Sequence, residues 1–366
     1  MKLKSILYTV AMAVPAMLMS SCENQDITFP DYQNGVSVYF PYQTPVRTIV
    51  LGTDEYDTTL DKAHKCIIKS TMGGAYTGKN ISVATKLAPE LCDNIYFDEE
   101  FASPVKVMPE SYYNLSGLSL DYKGTFNGEI EVSLTDAFFA DPKSVENTYV
   151  IPLMMTSVTS GSANILTGKA STEGSNPAVT NSDAWDELPM NYVLYCVKYK
   201  SKFDAAFVRC GDYTLDSNAA VQIPSEDDAK FVGHFDPVTD GIECATETKS
   251  LTSVKYAVTH EVPYTVKEDG KSVEKIQHFE ADLLLSFSSE SDNSDCVVTS
   301  LTDGVKVSGT GKYVKDGAKK AWGDKDRDQI TLEYTIEQDG HKLKCSESLV
   351  WTHSGVVKEE FTANYK

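Results

Sequence analysis

The sequence predicts an all-β protein: an N-terminal immunoglobulin-like β-sandwich followed by a second antiparallel β-sandwich or barrel domain. Three observations lead there. Apolar residues recur at every second position over short runs, the spacing that turns one face of a strand to a core and the other to water. Clusters of Gly, Asn and Asp separate the runs, as turns between strands require. The 3.6-residue recurrence of an amphipathic helix is nearly absent, and Asp136 to Asn147 is the one place where limited helix is expected.

The chain opens with Lys2 and Lys4, an apolar run from Ile6 to Met19, and then Ser20, Ser21 and Cys22. This is the pattern of a secretory signal peptide, residues 1–21. The run of 14 residues falls short of the roughly 20 that a membrane-spanning helix needs. Leu18-Met-Ser-Ser-Cys22 resembles a bacterial lipobox, with Met19 where leucine is preferred. Cys22 is therefore the expected lipidation site, and acyl chains rather than protein would hold the mature chain on a membrane. Residues 22–34 form an acidic tether, and an acidic stretch directly after such a cysteine resembles the surface-export signal of Bacteroidetes lipoproteins. The expected location is the outer membrane, lipid-anchored and facing the exterior.

The first β domain is placed at residues 35–202. Val36, Val38 and Phe40 alternate with polar neighbours, as do Ile130, Val132 and Leu134. Further runs cover Tyr149 to Val158 and Tyr192 to Tyr199. The polar stretch from Ser160 to Ser182 reads as a surface loop before the domain's last strand. The second domain, residues 203–366, is expected to hold strands at Ser253–Thr259, Ala281–Ser288, Ile330–Gln338 and His341–Trp351. Asp339-Gly340 between the last two is a two-residue hairpin turn, where glycine tolerates positive φ.

Charge narrows the partners. There are 33 basic and 53 acidic side chains, and loss of Lys2 and Lys4 leaves 31 against the same 53. Such a field repels phosphate backbones and other acidic polymers, so no nucleic-acid partner is assigned. Of eight cysteines, Cys22 is consumed by lipid. The remaining seven are Cys66, Cys92, Cys196, Cys210, Cys244, Cys296 and Cys345, too widely spaced for a zinc ribbon or a dense disulfide scaffold. One or two bridges fit the count, with at least one thiol left over or paired between molecules. Cys196 reads as a small apolar core residue.

Motifs that carry chemistry fall short on inspection. Gly73-Gly-Ala-Tyr-Thr-Gly78-Lys79-Asn80 nearly spells a phosphate-binding loop. Asn80 stands where Ser or Thr must hold magnesium, and Ile81-Ser-Val83 continues as a strand, so the segment reads as a Gly-rich hairpin turn. Asp324, Asp326 and Asp328 alternate as in calcium loops, but Gln329 replaces the turn glycine and Thr335 the bidentate glutamate. That segment, like Ser289 to Asp295, reads as a solvated charged turn. No Gly-x-Ser-x-Gly or His-Glu-x-x-His occurs, and the six histidines are scattered. No catalytic residue, metal or cofactor is assigned, and the expectation is a non-enzymatic protein.

Tyr39-Phe-Pro-Tyr-Gln-Thr-Pro-Val-Arg-Thr-Ile-Val-Leu-Gly52, Leu134 to Pro142, Thr148 to Ser157 and Asn191 to Tyr199 together resemble a Bacteroidetes surface-lipoprotein family. Its hallmark is an uncharacterised N-terminal β-sandwich domain, also found fused to family-18 endoglycosidases. The part beyond Phe203, with Gly309-Thr-Gly311-Lys-Tyr313 and Ala321-Trp-Gly323, looks like the second β domain often attached to it. The resemblance implies a polysaccharide-utilisation locus. It also implies a role in binding or presenting a glycan or oligosaccharide at the cell surface, beside an outer-membrane transporter complex. The alternatives are an adhesin or spacer lipoprotein without glycan binding, and then a glycoside hydrolase or its accessory. Sugar rings present apolar C–H faces on which aromatic rings stack. Trp322, glycine-flanked in a charged loop, is the first candidate platform, and Trp185, at the end of the polar loop, the second.

Overall fold

In the computed structural model the described residues are 30–52, 57–215, 221–223 and 242–366. Cys22, the signal peptide and most of the acidic tether lie outside them. Among the described residues the protein is nearly all β, with 56% in strands and 8% in helices, as the alternating pattern requires. The expected helix near Asp136 is present as an α-helix at Asp136–Ala140 followed by a 3-10 turn at Pro142–Val145.

The first domain is one strongly curled sheet of twelve strands. Ser37–Tyr39, Lys65–Gly73 and Asn127–Leu134 form one wall, and Ser82–Leu87, Tyr149–Ser160, Tyr192–Lys200 and Pro45–Val50 the other. Most pairings are antiparallel, but Pro45–Val50 runs parallel to Tyr192–Lys200. Val38, Phe40, Ile130 and Val132 fill the space between the walls. The central strands have no wet face. Val193, Tyr195, Val197 and Tyr199 enter this main core. Tyr192, Leu194 and Cys196 enter a smaller one on the outer surface, with Leu91, Ile95 and Phe361. Two cores, one per face, explain why Tyr192–Tyr199 carries almost no polar residue.

Gly73 to Asn80 is a crossover and not the hairpin expected from its glycines. Lys65–Gly73 pairs with Ser37–Tyr39 and Asn127–Leu134, whereas Ser82–Leu87 pairs with Ser119–Asp121 and Tyr149–Ser160. An Asp31–Lys79 ion pair of 2.5 Å pins the connection.

The second domain is a barrel. Ala206–Leu215, Ile242–Ser250, Ser253–Glu268, Lys271–Phe287, Asn293–Ser300, Lys306–Ala318, Arg327–Gln338 and His341–His353 pair in chain order, each antiparallel to the next. The last then pairs with the first over Ala206 to Leu215, closing the ring. Closure removes the exposed edges that an open sheet would leave. Asp339 and Gly340 both take positive φ between Gln338 and His341, the expected two-residue turn. At Gly309 a Cβ would lie 2.4 Å from Tyr334 Cβ, so glycine is what lets these two strands approach. Phe203, from the segment between domains, stacks on Phe287 at 3.8 Å and meets the edge of Tyr313 at 5.1 Å, filling the end of the barrel that faces the first domain.

The final residues do not belong to the second domain, where the boundary at 203–366 had put them. Glu359–Glu360 pairs with Pro45–Val46 and Asn364–Tyr365 with Ile95–Tyr96, so the chain ends on the first domain. Phe361 finds its apolar site on the outer face of the first sheet, with Leu91, Ile95 and Leu194.

All seven cysteines among the described residues are free thiols. No helix among those residues is long and apolar enough to cross a membrane.

Candidate functional site

The domains meet where Leu51 N donates to Lys200 O at 3.2 Å and Gly52 rests on Lys202. A Cβ on Gly52 would fall 2.3 Å from Lys202 Cα, so only glycine allows this contact. Beside it opens a cleft of about 560 Å³. The first domain contributes Leu51, Gly52 and Lys62, and the barrel contributes Asp292, Tyr313, Arg327 and Trp351.

Each lining group has a local cause. Lys62 sits on the short helix Thr59–Lys62, whose Asp61 is fully buried, ion-paired with Arg47 and accepting from Val50 N at 3.1 Å. Burial raises the Asp61 pKa, against the pull of Arg47. Lys202 donates to Asp292 Oδ1 at 3.0 Å and to Glu290 O at 2.9 Å, and its ammonium stands 4.8 Å from the Tyr313 ring centre. The Ser289–Asp295 segment is thus held at the junction and does not wave in solvent.

Asp324, Asp326 and Asp328 diverge from one another. Asp326 takes Lys319 Nζ at 2.9 Å and Lys320 N at 3.0 Å, which hold its pKa below the ordinary value. Asp328 accepts from Tyr313 OH at 2.6 Å and Asp316 N at 2.9 Å. Among the described residues no group of three or more His, Cys, Asp or Glu comes together as a metal site would require.

Trp322 is half-buried rather than an open platform. It covers an apolar cluster on the barrel's outer wall, formed by Val208, Cys210, Ala318, Ala321 and Val350. The Arg327 guanidinium lies 5.4 Å from its ring and 5.6 Å from that of Trp351. Trp185 lies far along the chain from these groups and pins the polar loop, its Nε1 donating to Ala178 O at 3.0 Å. The residues missed from sequence are Arg327 and Trp351. Trp351 looked like an ordinary strand residue, and strand alternation does not reveal that it sits at the rim of a barrel facing another domain. Tyr32 and Tyr76, the most exposed tyrosines, form a second, shallower aromatic surface around Gly74.

No curated protein matches the chain. The profile of a domain of unknown function, DUF5627, matches residues 202–355, and one described as an N-terminal domain matches residues 32–162. A structural-genomics protein of unknown function from Bacteroides ovatus is 34% identical, with a TM-score of 0.76 over 92% of this chain and 100% of its own. Two further Bacteroides ovatus structures share 9% identity over 90% of this chain. One is a protein of unknown function (TM-score 0.38, 93% of its own length) and the other a multidomain protein including DUF1735 (TM-score 0.37, 100% of its own length). The chain therefore belongs to the family of the first of these Bacteroides ovatus proteins, pairing an N-terminal β domain with a DUF5627 domain.

Proposed function

We propose that this protein is a surface lipoprotein, anchored through Cys22 to the outer membrane and facing the exterior, that binds glycan for a polysaccharide-utilisation system without catalysing a reaction. The observation that supports this best is the interdomain cleft, where the Trp351 ring and several tethered polar side chains surround a volume of about 560 Å³. Ligand sites favour such concave domain boundaries, and aromatic faces with fixed hydrogen-bonding groups suit sugar rings. An outer-membrane transporter would be the natural recipient of the glycan.

Screening the soluble chain from Glu23 against a glycan array tests the binding. Hits that weaken on Trp351→Ala support the cleft, and an array without hits counts against glycan capture. Replacing Cys22 with Ser should leave an unlipidated, soluble protein, and label from palmitate on that variant would refute the anchor. Protease added to intact cells should degrade the native protein if it faces outward. The exposed pair Tyr32 and Tyr76 favours the second reading, an adhesin that recognises protein.

A further inference from the structure

Arg327 is placed unlike any other cation of the cleft. Its guanidinium is held between Trp322 and Trp351, with ring centres 5.4 and 5.6 Å away. Its Nε is buried without a hydrogen-bond partner. Among the described residues its side chain has no carboxylate partner, although Asp326 and Asp328 are its chain neighbours. Those two are taken by Lys319 and by Tyr313, as set out above, while Asp292 is taken by Lys202. Three of the four carboxylates that line the cleft, Asp292, Asp326 and Asp328 but not Asp316, are thus engaged by other groups, leaving a fork of N–H donors flanked by two indole rings. A guanidinium in that state matches a planar carboxylate in two parallel hydrogen bonds. Arg327 shares the cleft with the Trp351 ring, so one ligand can engage both. With Lys62, Lys202, Lys315 and Lys325, Arg327 makes five cations against the four carboxylates Asp292, Asp316, Asp326 and Asp328 in the lining, a slight positive excess in a chain whose overall charge is −20.

We propose that the cleft recognises a carboxylate-bearing sugar, a glycuronate residue, with Arg327 binding its carboxylate and Trp351 flanking its ring. This rests on the glycan reading above and narrows it. The overall acidity would keep long acidic polymers away, so short acidic oligosaccharides are the fitting ligands.

Two of the three tryptophans flank Arg327, which makes indole fluorescence a reporter of occupancy. The soluble chain from Glu23 is titrated with a glucuronate-containing oligosaccharide, with the same oligosaccharide after reduction of its carboxyl groups, and with acetate. The acidic oligosaccharide should bind about tenfold or more tightly than the reduced one, the difference expected of a charge-assisted pair. Arg327→Gln should erase the difference while the reduced sugar binds as before, and Arg327→Lys should restore only part of it, since an ammonium lacks the fork. Melting curves identify a variant that fails to fold. In that event the ratio of acidic to reduced affinity in the unmodified protein still decides. Equal affinities would overturn the carboxylate inference and leave the glycan reading standing. A response to acetate alone, or to none of the three, would overturn both.

Discussion

Inside the barrel, Glu347 is a carboxylate with no exposed surface. Its Oε1 accepts from Tyr213 OH at 2.8 Å and its Oε2 from Tyr256 OH at 3.0 Å, and Arg209 stands 3.5 Å away. Burial raises the Glu347 pKa, opposed by Arg209 and the tyrosine hydroxyls. Removing one partner of such a pair strands the other, so Arg209→Met should destabilise the barrel by about 3 to 5 kcal/mol in denaturant titration. A loss below about 1 kcal/mol would mean the carboxyl is held neutral by its surroundings alone. His260 is buried beside the same group, its ring tilted against that of Tyr213 with centres 4.3 Å apart, and its Nε2 has no hydrogen-bond partner. Burial, and then Arg209, push its pKa from 6.5 down to about 3. The unfolded chain therefore takes up this proton below about pH 6.5 while the folded one refuses it, and stability falls as pH drops from there toward 3. At about 1.4 kcal/mol per pH unit the full loss is roughly 5 kcal/mol. The raised pKa of Glu347 acts in the opposite sense, so the test is a difference: His260→Leu should lose less stability than the parent as pH falls from 6 to 4. None of this cluster was legible in the sequence, because Arg209, His260 and Glu347 come from strands far apart in the chain and meet only when the barrel closes.

At the level of elements, alternation exposed Val36–Phe40 and Ile130–Leu134 because one face of each is wet, and Asp339-Gly340 announced its turn by chemistry alone. The barrel strands Asn293–Ser300 and Lys306–Ala318 were missed. Val297 faces outward and Ser294 inward on the first of them, and the inward residues of the second include Gly309 and Gly311, which blurs the apolar period. The loop bearing Trp322 misled for a related reason: charged neighbours signal solvent, yet the indole covers apolar wall residues contributed by other strands. Trp322→Ala should accordingly lower stability by about 1 to 3 kcal/mol, the range for a large side chain that is only half-buried, and thermal melting reads it. An unchanged midpoint would return Trp322 to the surface. The cysteines are equally an element-scale matter. Each thiol lies on a strand or a tight turn within a core, and burial pushes Cys66, Cys92, Cys196, Cys244 and Cys296 up to about 12. The chain from Glu23 should react sluggishly with maleimide when folded and take up seven labels in denaturant without reductant. Fewer than seven would show that bridges form after all.

The whole molecule is held together by a chain that leaves the first domain at Lys200, builds the barrel and returns. Sequence patterns located both domains but not that return, since two strands of two residues carry no periodicity. Lys198 and Glu359 pair at 2.7 Å, Lys200 donates to Ser354 O at 2.9 Å, and Phe361 enters the outer core beside Leu91, Ile95 and Leu194. These contacts span the junction beside Gly52 and Lys202, so the cleft between the domains is shaped by the terminal segment as well as by the linker. Phe361→Ala in the full chain separates its two effects. Loss of the buried ring and the cavity it leaves should destabilise the first domain by about 3 kcal/mol. The barrel closes upon itself, and its melting should stay within about 0.5 kcal/mol of the parent. Two unfolding transitions, with only one displaced, would be the calorimetric signature. A single transition that moves as a whole would instead mean that the domains fold as one cooperative unit, with the terminal segment as their common clasp.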